Sequence, residues 1–403
     1  MTDTLVLLVT LVALLVGLAT GKAWERYKLQ NGRWIDRRKL RESPHYILGL
    51  NFLVSNQIDL AIEELTKAAG LDTNTLEIHI ILGNLYRERG QVSKAIQLHQ
   101  SLLQRQKLTV LEQTYVLLCL GLDFKRGGFV DRAFQAFSDV IRLDPGNQYA
   151  LVNLEKLHEE QHEWHEAHAI RKRLADVAEK PHDQAILAFL ENELGLQAVR
   201  EGDTEQAIRH FDTALDLDSH TVPALLNLGD VHMSQQRPMD AIAVWEQIIH
   251  TAPERAYLAF DRLADAYTKF DGPTRFLELC QQLIDTNPQD WRARLALGQH
   301  LAAQGEPARA LDLFFESLVH NPHALAIHQV IWRTLSTLDF NSTLVRRYIE
   351  LTRHAVFYLD PHVCMRCRYR STELLWQCPQ CHEWNTFVEE RIAPAEDSEE
   401  TPA

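Results

Sequence analysis

Two short turns near the C-terminal end carry the most specific chemistry in this chain: Cys364-Met-Arg-Cys367 and, ten residues later, Cys378-Pro-Gln-Cys381. A CxxC turn aims two thiolates at one point, and two such turns on facing hairpins complete a tetrahedral sulfur site. Sulfur-only coordination accepts iron or zinc without choosing between them. The expected cofactor is therefore one iron or zinc ion held by Cys364, Cys367, Cys378 and Cys381. The alternatives are two disulfides, which fit poorly with a reducing compartment, or four free thiols. The intervening RYRSTELLWQ reads as a short hairpin, with Trp376 and Trp384 expected to cover a core too small to be stable without the ion. Cys119 and Cys280 fall at helix-packing positions and read as small core hydrophobes.

A second pattern invites a different chemistry. His158-Glu-Glu-Gln-His162 matches HExxH, in which two histidines one helical turn apart bind zinc and the glutamate activates water. That chemistry needs a continuous helix, and the repeat frame below puts His158 in a first helix and His162 in the turn after it. No catalytic residue is expected, and the chain is read as a non-enzyme.

The elements that must position these residues come from a repeat. Leu-Gly-x-x-aromatic or Leu-x-x-x-aromatic cores, with an Ala nine residues after the last position and often a Pro twelve further on, give unit starts at 42, 76, 114, 148, 188, 222, 257 and 291. The clearest unit is Leu120-Gly121, Phe124, Ala133, Phe137, Pro145. Each unit predicts two helices whose axes approach closely, because Gly83, Gly121, Gly195, Gly229 and Gly298 thin the first helix. Ala61, Ala95, Ala133, Ala167, Ala207, Ala241 and Ala310 thin the second. Pro145, Pro253, Pro288 and Pro322 are expected to end second helices. Two units depart: that at 257 has Phe276 in the Ala position, and that at 148 has Glu155 in the Gly position. Looser packing is expected at both.

This pattern resembles the tetratricopeptide repeat, over residues 42–324, which implies an all-α superhelical solenoid whose first helices line a groove. Residues 325–358, with Ile331, Trp332, Leu335, Leu344 and Tyr348, read as a degenerate ninth pair that caps the stack. Polar residues expected to face a partner in the groove are Asn84, Arg87, Lys125, Arg126, Asp230 and Asp265. The cysteine knuckles resemble a rubredoxin-type zinc ribbon over 359–388, with one departure. Rubredoxin knuckles favour Gly after the second Cys, where φ is positive, and Arg368 and His382 stand there. The short link after the last helix suggests that the ribbon docks as a lid on the C-terminal end of the stack, against Trp332.

Charge and hydropathy place the rest. The 403 residues carry 41 Lys and Arg against 55 acids, a formal net charge of −14, which disfavours general nucleic-acid binding. Residues 1–41 run the other way, at +5, leaving −19 for 42–403. Leu5 to Gly21 is an uncharged apolar stretch of 17 residues, at the short end of what spans a bilayer. The chain begins Met-Thr-Asp-Thr, without the basic start of a signal peptide, and cations crowd only the C-terminal flank. The expectation is a transmembrane anchor at 1–21 and a basic juxtamembrane linker at 22–41, with everything after Lys22 in the cytoplasm. Residues 389–403 read as an acidic disordered tail.

Anchor, tetratricopeptide solenoid and rubredoxin-like ribbon, in that order, resemble the lipopolysaccharide assembly protein B family of Gram-negative bacteria. The resemblance implies an inner-membrane adaptor that promotes degradation of the deacetylase LpxC by the membrane protease FtsH and so regulates lipopolysaccharide biosynthesis. Rival readings are an iron-loaded redox carrier or sensor on a repeat scaffold and an HExxH zinc protease. A homodimer is left open.

Overall fold

The computed structural model describes residues 43–71, 75–105, 108–177, 182–270, 272–335, 338, 342–352 and 362–389. Among these are eighteen α-helices followed by a small three-stranded sheet. The 5–21 stretch, the basic linker and residues 390–403 lie outside the described residues, while Glu389, read as the start of the acidic tail, belongs to the last strand. Among the described residues no helix is long and apolar enough to cross a membrane.

The chain divides between Gln161 and His162 into two compact units. The first holds α1 (Pro44–Val54), α2 (Ile58–Leu71), α3 (Leu76–Glu88), α4 (Val92–Leu103), α5 (Val110–Arg126), α6 (Val130–Leu143) and α7 (Gln148–Glu160). The second continues with α8 (Trp164–Val177), α9 (Asp183–Glu201), α10 (Thr204–Leu217), α11 (Val222–Ser234) and α12 (Pro238–Thr251). A 3-10 segment, Pro253–Ala259, leads into α13 (Phe260–Phe270) and α14 (Pro273–Thr286). These are followed by α15 (Trp291–Ala303), α16 (Pro307–His320), α17 (Leu325–Leu335) and α18 (Ser342–Thr352). First helices begin at Leu76, Gln148, Val222 and Trp291, on starts read from the sequence, whereas α5 and α9 begin earlier, at Val110 and Asp183, and α13 later, at Phe260. The division falls in the turn of the 148 unit, the one with Glu155 in place of Gly.

Local chemistry sets the ends of these helices. Thr109 and Glu112 form a reciprocal capping box on α5, and Asn147, Asp203 and Asp290 cap α7, α10 and α15 through their side-chain oxygens. Pro238 and Pro307 open second helices, where a missing N–H costs nothing. The turn inside each pair carries one residue at positive φ: Asn56, Gly90, Gly128, His162, Gly202, Gln236, Gly272 and Gly305.

Packing rests on one repeated contact. The glycine of the first helix lies against the ring found sixteen residues later: Gly121 under Phe137, Gly195 under Phe211, Gly229 under Trp245, Gly298 under Phe314. In the 76 unit the ring is His99, under Gly83, and in the 42 unit Leu65 takes the place of a ring over Gly49. A Cβ on Gly121 would lie 2.5 Å from the Phe137 ring, inside any real contact. The 257 unit inverts the order: bulky Phe276 stands in the Ala place and small Cys280 in the ring place, both fully buried. Phe276 fills its site edge-on to Phe260 and tilted on His300.

Gly121→Ala tests this contact. Ala raises helix propensity by about 1 kcal/mol, but overpacking against Phe137 costs about 1–3 kcal/mol, and Phe137 is enclosed on every side. The expected net is a loss, read as a lower denaturant midpoint with unchanged slope, accompanied by faster amide exchange in α5 and α6.

Candidate metal centre and its setting

The ribbon is a sheet of order β2-β1-β3, with β1 (His362–Cys364) antiparallel to both β2 (Arg370–Ser371) and β3 (Phe387–Glu389). Each knuckle closes in the same way. The Arg368 N–H donates to the Cys364 carbonyl at 2.9 Å, and the His382 N–H to the Cys378 carbonyl at 2.8 Å. Both donors sit at positive φ, 65° and 55°, the conformation expected where rubredoxin knuckles favour Gly. The four cysteine sulfurs lie within 4.8 Å of one another, with Cys367 to Cys378 at 3.5 Å and Cys364 to Cys381 at 3.8 Å. Thiolates at 2.3 Å from a tetrahedral ion are about 3.8 Å apart, so the sulfurs match a metal-binding geometry.

The thiols themselves call for a cation. Burial alone would raise Cys364, but the Thr386 hydroxyl and the N–H groups of Cys367 and Arg366 outweigh it and bring the thiol down to about 6. Burial pushes Cys381 up to about 12 and raises Cys378 as well. One thiolate is thus favoured and its neighbours are disfavoured, as like charges at this spacing require unless a cation sits among them. A bound ion supplies that charge and ties the two knuckles together. Cys119 and Cys280 are a different case: burial pushes them up to about 11 and about 12, as inert core thiols.

The ribbon docks within the second unit, away from the end of the stack. Trp384 stacks on Phe189 at 5.4 Å and 17°, and lies 6.3 Å from Trp164. Trp376 tilts on Phe189 at 6.3 Å. Arg255 lies over the Trp376 ring at 5.0 Å, and Arg292 forms an ion pair with Glu389. The ribbon thus meets the first residue of α8, the seventh of α9, the 3-10 segment before α13 and the second residue of α15. This corrects two expectations. Trp376 and Trp384 cover α8 and α9 rather than the ribbon's own core, which consists of Cys364, Cys378 and Phe387 backed by Leu374 and Leu375. The lid on Trp332 is absent: that residue is half exposed and pairs instead with Tyr348, its indole N–H donating to the Tyr348 hydroxyl at 3.1 Å. The physical reason is reach, since α18 ends at Thr352, ten residues before His362.

The HExxH pattern falls apart in three dimensions. Helix α7 ends at Glu160, and His162 holds the positive-φ place of the turn, at 58°, where most other units have Gly. His158 packs on Phe134 at 4.7 Å, while His162 lies against Trp164 at 5.3 Å. Among the described residues, the four cysteines form the one group of three or more His, Cys, Asp or Glu that gathers its ligand atoms at metal-binding range.

Of the six groove candidates, four are engaged within the chain. Arg87 donates to Asp123 at 2.8 Å, and the same carboxylate, fully buried, meets His99 at 2.5 Å. Lys125 pairs with Glu160 at 3.0 Å, Asp230 receives both Arg262 nitrogens at 2.8 and 2.9 Å, and Asp265 pairs with Lys269 at 2.6 Å. Arg126 is exposed, and Asn84 is half-buried beside Cys119. Sequence reasoning missed the partners Asp123, Glu160 and Arg262, although each stands about one repeat from its mate.

Fold and knuckle together define a tetratricopeptide-repeat scaffold with a rubredoxin-type metal-binding domain. Residues 362–389 match the rubredoxin metal binding domain family, and 78–113, 198–268 and 277–323 match tetratricopeptide repeat families. Along its length the chain is similar to lipopolysaccharide assembly protein B of Escherichia coli strain K12, 25% identical over 383 residues, which are 94% of this chain and 97% of that one. The Haemophilus influenzae protein of the same name is 24% identical over 396 residues, covering 94% and 98%. A solved tetratricopeptide repeat protein from Parabacteroides merdae aligns over 74% of this chain and 99% of its own, at 15% identity and a TM-score of 0.35.

Two outcomes check these assignments. Cys378→Ser with Cys381→Ser should abolish metal by elemental analysis, unfold the ribbon and uncover Phe189 and Trp164, seen as dye binding and a red-shifted tryptophan emission. Arg87→Ala leaves the buried Asp123 carboxylate short of a partner and should lower stability by about 2–3 kcal/mol in denaturant titration. A pure groove residue would leave that titration unchanged.

Proposed function

We propose that the chain is a membrane-tethered, non-enzymatic adaptor in lipopolysaccharide assembly, acting in the bacterial inner membrane with residues after Lys22 in the cytoplasm. The observation that carries this reading is the similarity, over 94% of this chain, to proteins named lipopolysaccharide assembly protein B. The finer reading is that the adaptor brings the protease FtsH and the deacetylase LpxC together. Tethering makes a weak second contact effectively intramolecular, and that is sufficient for an adaptor without a catalytic centre.

In this reading one iron or zinc ion at Cys364, Cys367, Cys378 and Cys381 is structural, because the ribbon it stabilises is packed against α8, α9 and α15 by Trp384, Trp376 and Glu389. Elemental analysis of protein purified without added metal identifies the ion.

The test is complementation. In a Gram-negative host depleted of its own assembly protein B, this chain should shorten the half-life of LpxC, measured by immunoblot after translation is stopped, while a form lacking residues 5–21 should not. An LpxC half-life that stays at the depleted value with the full chain present would refute the proposal.

A further inference from the structure

A groove opens on the face built by the second helices of the 257 and 291 units. It lies in the second unit between α14 and α16, with α15 beneath, and encloses about 870 Å³. Leu297 and Leu301 of α15 form its floor, and Leu277 and Leu313 its apolar walls.

The rim carries one sign of charge. Glu278, Asp285 and Asp312 stand exposed along it. The one cation in the lining, Arg309, is held by Glu306 at 2.6 Å, and Arg347 approaches Asp312 only to 3.8 Å, its guanidinium lying over Phe315. An acidic rim around an apolar trough is complementary to a helix with leucine-like side chains on one face and Lys or Arg flanking them. The lining runs from Leu277 to Thr286 along α14 and from Arg309 to Leu313 along α16, so the trough is about 15 Å long, the span of some ten helical residues.

We infer that this groove is a docking site for a cationic amphipathic helix of a partner protein, separate from the surface that the ribbon occupies. Its apolar face seats on Leu297 and Leu301, and its cations meet Glu278, Asp285 and Asp312. The inference goes beyond the adaptor reading and does not depend on lipopolysaccharide chemistry.

The probe is a labelled, end-blocked fourteen-residue peptide of Leu and Lys with Leu at i, i+3, i+4 and i+7 spacing, titrated into the full chain in neutral detergent. Binding should protect amides in 277–286 and 301–313 from exchange. It should weaken at least about tenfold in Glu278→Lys/Asp285→Lys/Asp312→Lys, whose melting should match that of the parent. A control reversal of equal charge elsewhere, Asp131→Lys/Glu205→Lys/Asp261→Lys, should change affinity less than about threefold. Equal weakening in both variants would mean attraction to net charge alone and overturn the inference. So would equal binding of a scrambled peptide without helical periodicity, or protection confined to other helices. A concentration-dependent dimer that the peptide fails to dissociate, with the groove protected in it, would assign the groove to a second copy and also overturn the inference.

Discussion

Everything in the helical part depends on a gap one methyl group wide. A first helix thinned by Gly lies under a ring of the second, and there is no space for a Cβ at Gly121, Gly195, Gly229 or Gly298. Close-packed interiors transmit such a contact to their neighbours, since a pair that sits too far apart cannot present its stripe to the next pair. The two units that break the rule are where the structure departs from a uniform stack. Glu155 stands in the pair whose turn separates the compact units, and Phe276 stands beside the open groove.

The ribbon is held by a different balance. Arg368 and His382 occupy left-handed backbone conformations that cost on the order of 1 kcal/mol each, and Asn385 at φ 53° adds a third. A sheet with strands of three, two and three residues has little apolar core with which to offset that. Metal binding to four thiolates, about 10–16 kcal/mol in comparable small domains, is of the right size to do so. The consequence reaches the scaffold, because Trp376, Trp384 and Glu389 leave the ribbon to cover Phe189, Trp164 and Arg292. An ion bound there would therefore support a surface on the helices as well as its own knuckles.

How far the sequence could be read follows from the range of each interaction. Helix pairs and metal ligands were legible because their determinants are local: a Gly and a ring sixteen residues apart, two cysteines three residues apart. The turn position of His162 was legible for the same reason, through the register it shares with Gly90, Gly128 and Gly202. The docking of the ribbon was not, because Phe189 and Trp384 are nearly two hundred residues apart and neither deviates from what its own segment requires. The ion pairs between repeats lie between these cases. Arg87 and Asp123, Lys125 and Glu160, and Asp230 and Arg262 stand about one period apart with opposite charge, as do the hydrogen-bonded amides of Asn192 and Asn227. Charges were assigned singly to a groove when the period itself paired them.

That pairing bears on how such a scaffold offers surface to others. A charge already engaged by the next repeat, as Asp230 is by the Arg262 fork, gives up that bond before it meets a partner, so it contributes less to affinity than a free one. In the second unit the ribbon takes up aromatic and cationic positions on α8, α9, α15 and the 3-10 segment, notably Trp164, Phe189, Arg255 and Arg292. What remains with exposed carboxylates and apolar depth is the second-helix side of the 257 and 291 units. An adaptor works by holding two things at once, and two faces that differ in charge and chemistry let it do so without competition between them.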